Sequence, residues 1–332
     1  GTFPESNTMK KLIAKALIFS ALIGCTIFGV IYLPPIDPDR YIMALLDKHR
    51  LLETTPQPRI IVAGDSNLAF GLDSGMIKKA TGYNIINMGL HGGLGLIYSM
   101  DELKPYLKKG DIVIFIPDYT HYMGTGIGDN TLVEVTILMP WIFCYYSREN
   151  IMPFISNIPL TFQRRLRGLL MPSKEMPTHL RSGFNEYGDN EGHIGVKPPE
   201  FKGKDFIAKY LPQAANLGIT RFLPERVNDE LVKHLNGFSD YCLDKGVSVY
   251  ISFSPLMEGD RQKQVRMLTS FEKDLRARIR MKIIGDPIGY IYPQDYFFDN
   301  EFHLNGKGRE ISTRRLVETM KSVPELANAP KN

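Results

Sequence analysis

The hydrophobic pattern divides the chain into one long apolar run and a series of short ones. From Ala16 to Leu33 there is no charged residue. That is close to the minimum length for crossing a bilayer core, and longer if Leu12–Ala14 join it with Lys15 reaching back to the headgroups. Pro34-Pro35 and Asp37-Pro38-Asp39 end the run. Beyond it, Ile60–Ala63, Tyr83–Asn87, Asp111–Ile116, Val247–Phe253 and a short piece at Ile283-Ile284 are mostly apolar blocks. Between them, 76–81, 97–108, 224–245, 261–280 and the chain after Gly306 read as helices. Buried strands alternating with helices at this interval predict an α/β fold: a three-layer parallel sheet flanked by helices.

Two stretches fall outside that rhythm. Residues 34–58 read as a proline-punctuated connector carrying one amphipathic piece, Tyr41–Leu52. Residues 120–222, rich in Pro, Gly, Tyr and Phe, read as an insertion or cap over the C-terminal strand ends, inside a domain spanning 59–325. No internal repeat is present.

Composition narrows the class. The 332 residues are 43% hydrophobic and 23% charged, which excludes a disordered or collagen-like chain. A net charge of +4 is too mild to argue nucleic acid without a basic stripe. Arg164, Arg165, Arg167 and Arg181 could meet an anionic glycan or headgroups, but a solvated basic face explains them more simply. Cys25, Cys144 and Cys242 show neither metal spacing nor a disulfide framework.

The N-terminus decides the compartment. The first eight residues, GTFPESNT, read as an added segment ahead of a natural start at Met9. Lys10, Lys11 and Lys15 precede the apolar run and place that end in the cytoplasm. Three readings of 9–33 compete: an uncleaved signal anchor, a lipoprotein lipidated at Cys25 after Leu22-Ile23-Gly24, and a cleaved signal. The unbroken apolar stretch past Cys25 favours the anchor, and all three deliver the domain outside the cytoplasm.

Candidate chemistry sits where ligands bind in open α/β sheets, at the C-terminal ends of strands. Gly64-Asp65-Ser66-Asn67 follows the first strand, and a serine on such a turn exposes its hydroxyl while its amide faces the same space. Asp65, Ser66 and Asn67 are also ordinary helix caps. Asn87-Met88-Gly89 with Leu90-His91-Gly92-Gly93 follows the second strand, where glycines let backbone approach a ligand. His91 reads more readily as a loop histidine than a catalytic one. Asp299-Asn300-Glu301-Phe302-His303 precedes the last helix; His303 can serve as a base only if a neighbouring group holds its other nitrogen.

Taken together, the three blocks in this order resemble the SGNH, or GDSL-like, hydrolase superfamily over roughly 59–120 and 225–322. The resemblance implies a sheet of flavodoxin-like strand order and a serine hydrolase site without metal or cofactor. Ser66 would be the nucleophile, His303 the base and Asp299 its acid, with Asp295 and Glu301 as lesser options. The amides of Ser66 and Gly89 would form the oxyanion hole. Two departures stand out. The superfamily's asparagine after the third strand is replaced by Pro117-Asp118-Tyr119-Thr120-His121, and the position three before the histidine is Asn300. Asn67, Asp118 and Tyr119 are the candidate substrate contacts.

With the anchor, the chain is similar to extracytoplasmic members that modify envelope polymers, such as the alginate O-acetylation proteins and the D-alanyl transfer protein of teichoic acid modification. That likeness implies a single-pass protein of the bacterial inner membrane with a periplasmic domain. It would act as an O-acyltransferase or esterase on an envelope polysaccharide, with a membrane-bound O-acyltransferase as partner and no nucleic acid. The alternative is a non-catalytic scaffold subunit of such an assembly.

Overall fold

A computed structural model describes residues 5–32, 37–170, 179–196, 220 and 223–330, with side chains from Thr8 onward. Helix α1 (Glu5–Tyr32) contains the expected apolar segment; within Thr8–Tyr32 its most apolar 18 residues have mean hydropathy 2.1, and the helix is long and apolar enough to cross a membrane. Near its C-terminal end Ile31 packs on the domain, against Val133, Ile137, Phe154 and Phe162.

The domain is built on five parallel strands: β1 (Arg59–Gly64), β2 (Asn84–Asn87), β3 (Ile112–Ile116), β4 (Ser248–Ile251) and β6 (Lys282–Ile283). Their order is β2-β1-β3-β4-β6, as the alternation and the family resemblance predict. A separate parallel pair joins β5 (Leu256–Met257) to β7 (Ile291–Tyr292). Alternation along each strand divides the core in two. Ile61, Ala63, Val113, Phe115, Val249 and Ile251 face one side and pack on α5 (Leu96–Leu103), α8 (Asp229–Lys245) and α9 (Arg261–Arg278). Ile60, Val62, Ile112, Ile114 and Tyr250 face the other, under α4 (Ser74–Thr81) and α10 (Gly306–Lys321).

Helix ends follow local chemistry. Asn228 caps α8 by accepting from the Glu230 amide at 2.9 Å, so this helix starts at Asp229 rather than at Pro224. Gly246, with φ of 68°, ends it in the left-handed conformation glycine adopts without penalty. Helix α5 stops before Pro105 and gives way to one tight turn, short of the expected Lys108, because proline lacks the amide to continue it.

The stretch read as a connector is a packed part of the domain from Asp37 onward. Helix α2 (Ala44–Thr54) buries Ala44, Leu45 and Leu52 completely. Lys48 is buried with it and donates to Asn87 O at 2.7 Å and Gly188 O at 2.6 Å. Burial pushes this ammonium down to about 7, against the pull of Asp189 and Glu102. The mid-chain insertion supplies α6 (Asn130–Leu138) and α7 (Arg148–Leu170), and residues 179–196 return over the end of β2, where Tyr187 O accepts from the Asn87 amide at 2.8 Å. Arg181 is committed to Asp47 at 2.6 and 2.8 Å, which ties that return to α2.

Candidate acyl-transfer site

The chain turns sharply after β1 because two glycines permit close backbone approach. A Cβ on Gly64 would stand 2.6 Å from Ile116 O, and one on Gly89 would stand 2.6 Å from Asp65 O. These contacts press the β1 and β2 loops together. Asp65 caps the short helix α3 (Ser66–Gly71), its Oδ1 accepting from the Asn67 amide at 3.0 Å. Ser66 is half-buried, and among the described residues neither its hydroxyl nor its amide has a hydrogen-bond partner.

One turn along α3, the Phe70 ring stacks on the His303 imidazole, centroids 4.1 Å apart and planes within 21°. Residues four apart share a helix face, so Phe70 and Ser66 lie on one side of α3. Ser66 Oγ and His303 Nε2 are not hydrogen-bonded in this state; such bonds commonly tighten only with substrate bound.

The opposite side of the imidazole is fixed. His303 Nδ1 lies 2.8 Å from Asp299 Oδ1, the carboxylate four residues upstream. Asn300 Oδ1 accepts from the Phe302 and His303 amides at 2.9 and 3.0 Å and shapes the loop. Its Nδ2 then also faces His303 Nδ1 at 2.9 Å. Nδ1 cannot donate and accept at once. The carboxylate is the stronger partner, so Nδ1 donates to it and Nε2 has no hydrogen-bond partner among the described residues.

Asp299 has a second imidazole. His179 Nε2, from the insertion, contacts its Oδ2 at 3.0 Å. Burial would raise the Asp299 carboxyl, but the hydrogen bonds and charges of His179 and His303 outweigh it and hold the group well below the carboxylate range. Phe70 is the hub of this array, with the His179 and His193 rings edge-on at 4.7 and 5.0 Å. The Tyr41 phenol donates to Leu90 O at 2.6 Å. Burial and then the charges of Asp65 and Asp299 raise it well above its ordinary value. Beside Tyr41 and His179 opens a cavity of about 300 Å³, lined also by Arg40, His91, Thr131 and Glu134, with Ser66 and His303 outside its lining.

Three sequence expectations need correction. The Gly89 amide donates to Asn87 Oδ1 at 2.9 Å, and Asn87 is itself held by Leu68 O and Asp189, so the Ser66 amide is the unengaged donor of the two. Asn67 is an internal clamp, donating to Ile116 O at 3.0 Å and Ser254 Oγ at 2.6 Å. Tyr119 turns into the core, 1% exposed and edge-on to Phe271. Asp118 does border open space, a second cavity of about 420 Å³ shared with Gly92, Thr120, His121 and Asp129.

At that second cavity lies a charged pair the sequence did not reveal. His121 Nε2 contacts Asp65 Oδ2 at 3.2 Å, and the same oxygen accepts from the Asp118 amide at 2.8 Å. Burial would lower His121, but its bond to Asp65 and the charges of Asp118 and Asp65 lift it to about 9. Burial and the charge of Asp65 push Asp118 up to about 6. At neutral pH His121 is therefore a cation set between the Asp65 and Asp118 carboxylates. The triples Asp65–Asp118–His121 and His179–Asp299–His303 also each hold three ligand atoms within 4.8 Å, the spacing a divalent cation would need.

A consequence is measurable. The folded value of His121 lies above that of an unfolded histidine, so its contribution to stability is complete below about pH 6.5 and is lost as pH rises through about 9. His121→Gln should therefore destabilise by about 3 kcal/mol at pH 6, with the gap narrowing in urea titrations at pH 9.5. A gap that does not narrow with pH contradicts the charged assignment.

Set against models of known protein families and against curated proteins, the chain matches none of them.

Proposed function

We propose that the chain is a serine-dependent O-acyltransferase or acyl esterase, anchored by α1 in a bacterial cytoplasmic membrane and working outside the cytoplasm on an envelope polysaccharide. The observation that carries this reading is the His303 imidazole, held by Asp299 at 2.8 Å and stacked on Phe70, one helical turn along α3 from an unpartnered Ser66 hydroxyl. The SGNH-like order of the blocks supports it, as do the lysines ahead of α1 for the orientation.

In the reaction, Ser66 Oγ bonds to the acyl carbon as its proton passes to His303 Nε2. The leaving oxygen takes that proton and departs, which leaves acyl-Ser66. A sugar hydroxyl, or water, then attacks the acyl carbon and gives its proton to Nε2, which passes it to Ser66 Oγ as the acyl–Oγ bond breaks. The Ser66 amide faces the developing oxyanion. A membrane-bound O-acyltransferase that exports the acyl group would be the natural donor.

The engaged Gly89 amide and the missing asparagine after β3 favour a second reading, a non-catalytic scaffold. A fluorophosphonate probe separates the two. The first predicts a covalent adduct mapped to the peptide containing Ser66 and absent from His303→Ala. An unmodified Ser66 in folded protein favours the scaffold.

A further inference from the structure

Helix α7 has a surface that the domain does not use. Met152, Ile155, Pro159, Phe162, Leu166 and Leu169 recur at spacings of three and four, forming one apolar stripe along most of this 23-residue helix. Most of it is uncovered: Met152 is 67% exposed, Ile155 52% and Leu169 46%. A soluble surface rarely carries a continuous stripe of this kind.

The structure also says what lies beside it. Helices α1 and α7 pack together around an apolar groove of about 620 Å³, lined by Phe19, Leu22 and Ile23 of α1 and Ile158, Pro159 and Phe162 of α7. Leu22 is ten residues before the domain end of α1, about 15 Å along the axis, or half the thickness of a hydrocarbon core. If α1 spans the bilayer, the middle of α7 lies within the same hydrocarbon. Its opposite edge is built for a boundary. Asn150 and Thr161 are buried against the protein, with Thr161 Oγ1 donating to Asn130 Oδ1 at 3.0 Å. Arg164 and Arg167 are exposed near the C-terminal end, and neither has an ion-pair partner among the described residues. Unpaired arginines beside an apolar stripe suit anionic headgroups.

We infer that α7 is a second membrane element, an amphipathic helix embedded in the outer leaflet beside α1 with its stripe in the acyl chains. Helix α6 separates this layer from the 300 Å³ cavity: Val133 and Ile137 pack on Ile31, Phe154 and Phe162, while Thr131, Glu134 and Val135 line the cavity. The cavity thus stands about one helix diameter, roughly 10 Å, from the membrane-facing layer. The embedding of α7 does not depend on the catalytic reading.

The test reads insertion alone. Full-length protein carrying Cys25→Ser and Cys144→Ser receives a single spin label at Ile155→Cys or Leu169→Cys, in vesicles of phosphatidylcholine and phosphatidylglycerol. Leu22→Cys marks the bilayer, and Leu243→Cys, 77% exposed at the end of α8, marks water. Both α7 labels should follow Leu22, several-fold more accessible to oxygen than to a nickel chelate. Labels that follow Leu243 overturn the proposal. Labels closed to both reagents also overturn it, because a protein partner then covers the stripe. A variant-free measurement guards against misfolding: a phosphatidylcholine with a photoactivatable acyl-chain end should label peptides from 148–170 as well as 8–32. Labelling confined to α1 contradicts embedding.

Discussion

Ser66→Ala and His303→Ala should each lower turnover of a short-chain p-nitrophenyl ester by at least about 10³-fold, with the fold intact. Without the hydroxyl there is no acyl acceptor. Without Nε2 the hydroxyl keeps its proton at neutral pH and remains a poor nucleophile. The two act as one unit, so the double variant should be no worse than either single one. Asp299→Asn should cost roughly 10²–10⁴-fold for a reason specific to this loop. Once the carboxylate is gone, Asn300 Nδ2, already 2.9 Å from Nδ1, becomes the donor to that nitrogen. The imidazole proton then moves to Nε2 and the base is lost. Folding should survive these changes, because the side chains lie at the sheet edge and little core area goes with them. Steady-state kinetics with circular dichroism checks both halves of the prediction. A multiplicative loss in the double variant would mean the residues do not act together.

The largest effect on stability is expected at the other end of the sheet. Arg59 and Asp111, at the N-terminal ends of β1 and β3, have fully buried side chains and meet through two bonds of 3.0 and 2.8 Å. The guanidinium also donates to Leu52 O at 2.6 Å and Tyr106 O at 2.7 Å, and so links α2 and the α5 turn to the strands. Asp111 in turn accepts from Gln57 Nε2 and the Lys108 amide, both at 2.8 Å. Asp111→Ala would leave a guanidinium buried without its anion and should cost about 3–5 kcal/mol. The paired change Arg59→Met/Asp111→Leu should recover much of that loss, because no uncompensated charge remains. Urea unfolding of the three proteins in detergent measures it. Ester turnover per folded molecule should stay unchanged in all of them, since the site lies at the opposite strand ends.

The sequence made the sheet legible because its strands are short apolar blocks set at regular intervals, and periodicity over such blocks is a local property. Ser66 and the Asp299–His303 pair were legible for a related reason: each follows a strand or precedes a helix within one loop. The rest depends on contacts remote in the chain. His179 reaches Asp299 across 120 residues from a segment without periodicity, and nothing near Pro177 announces it. His121 was visible only as the end of an irregular block, and its pairing with Asp65 exists only because β1 and β3 are neighbours. Tyr119 and Asn67 show the converse. Position beside a motif does not fix where a side chain goes, and both turn inward. Helix α7 was obscured by Pro153 and Pro159, which read as breaks although the helix continues through them.

The central claim is that Ser66 carries an acyl group, and the most direct measurement is intact-protein mass after brief exposure to an activated acetyl ester at low pH quench. The account predicts a mass gain of one acetyl group, located by fragmentation to the peptide spanning Gly64–Gly71, absent from Ser66→Ala and discharged on adding a polysaccharide acceptor. Folded wild-type protein that never gains the acetyl group, or gains it equally when Ser66 is alanine, contradicts the account.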